Sequence, residues 1–242
     1  MPHPLDSLFA PDSIALIGAS RDLEKIPGRL LSMLRKNEFP GKIFPINPNY
    51  SDIDGLKCYP TIADVGQPID LAIVMIPAGV VLGALEQCAA AGVKNAVIIS
   101  SGFAEEGGDS AAMQDAIVAL AKNTGMRISG PNAEGFYSQV QRVAATFSPT
   151  VDVKPGAPPL VATIRRIGIV AQSGGIGFAI YHRATLSGCH RPRRRLRIYL
   201  RPHPRVTASP LSLEELAKQA SRRRVWDSRH CERSDRGRDA HF

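Results

Sequence analysis

Six short segments place small, polar and cationic residues where a backbone could hold an anion. They are Gly18-Ala19-Ser20-Arg21 with Lys25 close behind, Asn47-Pro48-Asn49-Tyr50, Pro77-Ala78-Gly79, Ser100-Ser101-Gly102-Phe103, Gly130-Pro131-Asn132-Ala133 and Gln172-Ser173-Gly174-Gly175. Each follows a short apolar run, so each reads as the turn at the carboxyl end of a strand. Gly and Ser leave turn N–H groups accessible, and a following helix adds the positive end of its dipole, which together favour phosphate. Arg21 and Lys25 supply cations near where a pyrophosphate would rest. Any strand-to-helix turn needs glycine, so the weight lies in several such turns meeting at one sheet edge, where ligands of open parallel sheets bind.

Other chemistries find less support. After Gly18 come Ala19-Ser20-Arg21-Asp22-Leu23, without the further glycines of a G-x-G-x-x-G turn. The second strand runs out at Ile46-Asn47-Pro48, with no carboxylate for a ribose hydroxyl. An NAD(P)-dependent oxidoreductase is therefore disfavoured. No G-x-x-x-x-G-K-[ST] segment occurs. Cys58, Cys88, Cys189 and Cys231 lack metal-ligand spacing, so no metal site is expected. No nucleophile–base pair stands out, and no catalytic residue is assigned.

The elements that must position these turns follow from the pattern of apolar residues. Ser13–Ile17, Lys42–Ile46, Leu71–Ile76, Asn95–Ile99 and Arg127–Ser129 read as strands; Gly28–Asn37, Val80–Ala91 and Ala111–Asn123 read as helices. Asp109 or Ser110 is the expected N-cap of the third helix, and Gly92 and Gly125 the expected ends of the second and third. Strands alternating with helices imply a parallel sheet, because parallel neighbours need crossover connections. Gln139–Thr163 reads as one or two strands and a linker (Lys154–Pro159). Ile167–Ala171 is a further buried strand, followed by a helix through Ser187.

Composition separates the chain in two. Hydrophobic residues make up 44% and charged residues 21% of its 242 residues, which rules out wholesale disorder. The longest apolar stretch, Ile69–Val81, is interrupted by Asp70 and Pro77 and cannot span a bilayer. Met1–Ala10 lacks the basic and apolar regions of a secretion signal, so a reduced, cytoplasmic protein is expected. The net charge of +8 is uneven: residues 1–188 hold 15 Lys and Arg against 16 Asp and Glu, whereas residues 189–242 hold 15 against 6. All of the basic excess lies in the last segment.

In order and spacing, Leu16-Ile17-Gly18-Ala19-Ser20, Ile46-Asn47-Pro48-Asn49-Tyr50, Gly55-Leu56-Lys57-Cys58-Tyr59-Pro60, Ser100-Ser101-Gly102-Phe103-Ala104-Glu105 and Gly130-Pro131-Asn132 resemble the CoA-binding domain of NDP-forming acyl-CoA synthetases. This is the superfamily of the succinyl-CoA synthetase alpha subunit and ADP-forming acetate–CoA ligase. Ala145-Thr146-Phe147-Ser148 and Gly168-Ile169-Val170-Ala171-Gln172-Ser173-Gly174-Gly175 resemble the start of its next domain. The resemblance covers about Leu8–Gly188. It implies an α/β fold: a Rossmann-like CoA-binding domain (8–140), a linker (141–163), a truncated flavodoxin-like ligase-CoA domain (164–188) and an irregular basic tail (189–242).

The same resemblance implies coenzyme A as the bound cofactor. The loop from Gly18 through Ala19, Ser20 and Arg21 to Lys25 would receive its phosphates. Asn47, Pro48 and Tyr50, with Ser100, Ser101, Gly102 and Phe103, would line the adenosine and pantetheine path; Pro77 would border it and Asn132 lie near the thiol end. Gln172, Ser173 and Gly174 would bind a phosphoryl group carried by a catalytic histidine. The family often has Lys where Asn49-Tyr50 stands, and many members have Cys where Ala133 stands. The family reaction is reversible: a nucleoside triphosphate phosphorylates a histidine and leaves as the diphosphate, the phosphoryl group passes to a small carboxylic acid as an acyl phosphate, and CoA displaces phosphate to release acyl-CoA. Neither the phosphohistidine loop nor the ATP-grasp part is found among these residues, which implies an ATP-grasp beta-type subunit or further domain as partner.

Residues 189–242 fit none of this. Arg193-Arg194-Arg195 and Arg222-Arg223-Arg224 flank a short helical pattern, Leu211–Ala220, and aromatics for base stacking are nearly absent. Nucleic-acid binding ranks below a solvated, disordered terminus, and both rank below a broken reading frame near Cys189. The competing functional reading is a noncatalytic CoA- or nucleotide-sensing module whose basic tail contacts a partner.

Overall fold

A computed structural model describes residues 5–152, 165–171, 173–186 and 194–200. Gln172, the Lys154–Pro159 linker, the Leu211–Ala220 helical pattern and the tail other than residues 194–200 lie outside the described residues.

The chain opens with a short helix, α1 (Asp6–Phe9), and then lays down strand β1 (Ser13–Ile17), helix α2 (Ile26–Lys36) and strand β2 (Lys42–Ile46). A small hairpin, β3 (Asp52–Ile53) and β4 (Leu56–Lys57), comes next. It is followed by β5 (Leu71–Val74), α3 (Ala78–Ala90), β6 (Asn95–Ile98), α4 (Asp109–Thr124) and β7 (Arg127–Ser129). The five long-range strands form one parallel sheet in the order β2-β1-β5-β6-β7. With the hairpin set aside, this is the 2-1-3-4-5 order of doubly wound sheets, whose strand order reverses beside β1.

Every residue of β1, β5 and β6 is buried, as expected for parallel strands covered on both faces. The period of two divides β1 between two cores. Ala15 and Ile17 face the side closed by Val81, Leu85 and Cys88 of α3 and by Ile117 and Ala121 of α4. Ile14 and Leu16 face the side closed by Leu8 and Phe9 of α1 and by Leu30, Leu31 and Leu34 of α2. Each fully buried Leu or Ile contributes about 1.5–3 kcal/mol, so these two layers hold the sheet together. At its amino edge the Asp70 carboxylate accepts hydrogen bonds from the N–H groups of Asp12 (2.9 Å) and Ser13 (3.1 Å) and from Ser13 Oγ (3.0 Å), tying β1 to β5.

Strands β8 (Gly135–Ser138) and β9 (Val143–Thr146) join β10 (Arg165–Ala171) and β11 (Arg194–Leu200) in a second sheet, in the order β10-β11-β8-β9. Helix α5 (Gly174–Leu186) packs on it, with Phe178 and Tyr181 meeting Tyr137, Val151 and Met33 of α2. Burial drives the Tyr181 phenol up to about 12 and holds the Tyr137 phenol far above its usual range. Both hydroxyls therefore stay protonated, and Tyr137 donates to Asn37 Oδ1 at 3.1 Å. Strands β8 and β9 lie on either side of residue 140, the expected end of the first domain. Within the basic tail, Arg194–Leu200 forms a strand parallel to β10 and antiparallel to β8. No helix among the described residues is long and apolar enough to cross a membrane.

Two local expectations shift. Helix α4 begins at Asp109 with Gly108 as N-cap and without a side-chain cap, because Asp109 and Ser110 are already inside its first turn. Helices α2 and α3 begin two residues early, at Ile26 and Ala78.

Two glycines in helices should respond oppositely to alanine. A Cβ on Gly28 would run into the carbonyl of Asp22, so Gly28→Ala should destabilise the fold by about 1–3 kcal/mol. Gly83 has nothing within 4 Å of such a Cβ, and Gly83→Ala at this exposed position of α3 should stabilise by about 0.5–1 kcal/mol. Urea unfolding midpoints of the two variants check both signs.

Candidate functional site

The turn leaving β1 has very little room. Gly18 has φ +88°, and a Cβ there would sit 2.6 Å from the Met75 carbonyl oxygen and 2.7 Å from Ile76 Cγ2. Only glycine combines that left-handed backbone with so close an approach to the neighbouring strand. Its N–H donates to the Ile46 carbonyl at 2.9 Å, so the ends of β2, β1 and β5 are gathered at one point. There the sheet's order reverses and a cleft of about 310 Å³ opens. This lies at the lower end of the size range of small-molecule sites, about 300–1,000 Å³.

Ile17, Ile46, Ile62 and Ile76 form apolar walls, and Asn49, Thr61 and Gln87 place polar groups around them. Such a surface suits a flat, largely apolar ring system with polar edges. Gly18, Asn47 and Pro48 are the expected residues that line it. Asn47 also organises the wall: its Nδ2 donates to the Ala19 carbonyl at 2.8 Å, and its Oδ1 accepts from the Asn49 N–H at 2.9 Å.

The other expected residues surround the cleft or support it. Ala19 is fully buried against α2, and Ser20 Oγ accepts the Asp22 N–H at 3.1 Å. Arg21 Nε donates to the Asp52 carbonyl at 2.9 Å, and its guanidinium lies 5.2 Å from the centre of the Tyr50 ring. Exposed Lys25 is the N-cap residue of α2 and stands 3.5 Å from Asp22. Pro77 caps α3. Ser100 Oγ bridges to β5, accepting the Ile76 N–H at 3.1 Å and donating to the Ile76 carbonyl at 2.6 Å. Ser101 is exposed, and the Gly102 N–H donates to Glu105 Oε1 at 2.8 Å. Phe103 is fully buried in the core under α3 and α4, so only its backbone could meet a ligand. Asn132 is exposed, and its N–H donates to the Ser100 carbonyl at 2.8 Å.

Gly174 begins α5, with Ser173 just before it, well away in sequence from these turns. Ser173 Oγ is 3.5 Å from the Ile176 N–H, and a Cβ on Gly174 would come within 2.6 Å of Glu134 Cβ. Burial raises the Glu134 pKa above the usual carboxylate value, and a hydrogen bond from Ser148 opposes the shift.

The residues missed from sequence are mostly walls: Pro60, Thr61 and Ile62 after the hairpin, Ile76 before Pro77, and Ala84 and Gln87 on α3. On a helical period, Ala84 and Gln87 lie beside the buried Val81, Leu85 and Cys88. That spacing was the available signal. Pro60 to Ile62 carried no periodic signal of their own.

A family model described as "CoA binding domain" matches residues 12–138. The chain is 41% identical over 170 residues to the ADP-forming acetate–CoA ligase II of Archaeoglobus fulgidus, covering 70% of this chain and 24% of that protein. It is 36% identical over 180 residues to the alpha subunit of the ADP-forming acetate–CoA ligase I of Pyrococcus furiosus, covering 73% of this chain and 37% of that subunit. The structure of Ca. Korarchaeum cryptofilum dinucleotide forming acetyl-coenzyme A synthetase 1 in complex with phosphate and ADP superposes with a TM-score of 0.75 at 34% identity, covering 89% of this chain and 42% of that one. The chain thus spans from about a quarter to about two fifths of the length of these relatives.

The thiols near the cleft provide a chemical readout. Burial pushes the Cys88 thiol up to about 12 and raises that of Cys58, whose Sγ is 3.5 Å from the Asn47 carbonyl. Both stay protonated near neutral pH, and the thiolate is the reactive form. Peptide-resolved labelling with iodoacetamide at about pH 8 should leave Cys88 unmodified in the native chain, with Cys58 slow and accelerating as pH rises. Rapid Cys88 labelling without unfolding would contradict its placement.

Proposed function

Because the chain belongs to the CoA-binding domain family, we propose that it binds coenzyme A in the cleft at the carboxyl ends of β1, β2 and β5. The observation that carries this is the turn at Gly18, which brings backbone to the mouth of a cleft with apolar walls and polar edges. The cleft suits the adenine end of the ligand. The loop from Gly18 to Lys25 and the N-terminus of α2 would then face its phosphates, and the extended remainder would run along the turns at Pro77, Ser100–Gly102 and Asn132.

In this reading the chain is the alpha-type portion of an NDP-forming acid–CoA ligase, which couples acyl-CoA formation to cleavage of a nucleoside triphosphate to the diphosphate. Its first unit holds CoA. Gln172, Ser173 and Gly174 would take the phosphoryl group. An ATP-grasp beta-type subunit or domain supplies the nucleotide chemistry, and a small carboxylic acid is the substrate. The ADP-forming relatives include both longer single chains and separate alpha subunits, which supports either arrangement. In this reading the chain's described groups bind and orient the ligand.

Calorimetric titration of the full chain with CoA, NAD and ATP tests the assignment. CoA should bind most tightly, and Asn47→Ala should weaken it about tenfold by loosening the wall that Asn47 ties to Ala19. NAD binding as tight as CoA would sink the reading.

A further inference from the structure

Arg21 is the only cation of the β1 turn held by a specific geometry. Lys25, its neighbour, pairs only with exposed Asp22. Arg21 reaches out of that turn and across to the hairpin: Nε and Nη2 both donate to the Asp52 carbonyl, at 2.9 and 2.5 Å, while the guanidinium stacks on Tyr50 at 5.2 Å. A planar fork can serve one acceptor with two donors and lie on a ring at the same time, whereas an ammonium cannot.

What lies downstream of Asp52 matters for the cleft. The hairpin leads to Cys58, whose N–H donates to the Ser51 carbonyl at 2.9 Å. It continues to Tyr59, which exchanges hydrogen bonds with the end of β2: its N–H donates to the Pro45 carbonyl and its carbonyl accepts the Asn47 N–H, both at 2.9 Å. The next residues, Pro60, Thr61 and Ile62, are cleft wall. Arg21 thus links the turn on one side of the opening to the segment that builds the other.

We propose that Arg21 is a positioning residue that sets the opening of the cleft by clamping the β3–β4 hairpin through Asp52 and Tyr50, and that its fork and stacking matter rather than its charge. This rests on the cleft being the CoA site, but it differs from a phosphate contact in what it demands of the side chain. A phosphate ligand needs a positive charge, which lysine would also supply. A clamp needs the guanidinium.

The test uses the full chain with Arg21→Lys, Arg21→Ala and Tyr50→Leu, each followed by hydrogen exchange over residues 50–62 and by CoA titration at low and high salt. Arg21→Lys should behave like Arg21→Ala, with faster exchange across the hairpin and CoA binding about tenfold weaker. Tyr50→Leu should move exchange in the same direction. The salt dependence of CoA binding should match that of the unsubstituted chain in all three, since no phosphate contact is lost. Wild-type exchange in Arg21→Lys, retained CoA affinity in that variant, or a flattened salt dependence in Arg21→Ala would each overturn the proposal. If the unsubstituted chain fails to bind CoA, the CoA reading falls by itself, and the exchange measurement still decides whether Arg21 is a clamp.

Discussion

The architecture depends on the contact between the turn at Gly18 and the end of β5. A side chain at Gly18 would strike the Met75 carbonyl and Ile76, and the backbone there is left-handed. Because that turn can pass so close, β1 can lie between β2 and β5 and still hand the chain on to α2. Strands β2 and β5 flank β1 on opposite sides, both parallel to it, and the cleft is the gap their connections leave. The binding site is in this sense a consequence of strand order.

Hydrogen bonding at the two ends of the sheet divides the labour. At the amino ends the Ser13–Asp70 network is closed on itself, with the Asp70 N–H donating back to Ser13 Oγ at 3.0 Å. At the carboxyl ends, Asn47 and Ser100 join neighbouring turns to one another. Polar residues at this edge thus serve two ends, and several that look like ligand contacts in sequence are fixing the turns on which the contacts depend. Asn47 and Arg21 both belong to that class.

The long elements were legible because they obey simple periods. Strands β1, β2 and β5 are largely apolar runs followed by Gly, Asn or Pro, β6 runs into Ser100, and α2 carries Leu30, Leu31 and Leu34 at helical spacing. The family resemblance, too, was carried by turns whose residue types the backbone requires. The hairpin escaped notice because β3 and β4 have two residues each, too few for alternation to register. Strand β8 follows directly on the Asn132 turn and lies just before Gln139–Thr163, where one or two strands are expected; its four buried residues carry no alternation that would mark it. Phe103 shows the complementary error of inference: a residue in a ligand-lining turn can turn its ring into the core and offer only main chain. The walls from Pro60 to Ile62 and from α3 were invisible because they are brought to the cleft by tertiary packing.

Chemical-shift mapping of backbone amides during a CoA titration of the full chain tests the account at its centre. The account predicts that Gly18, Asn49, Thr61 and Gln87, far apart in sequence and joined only by the strand reversal at β1, shift together and saturate at one concentration of CoA. Shifts absent from these four amides, or confined to the turn before α5, would contradict it.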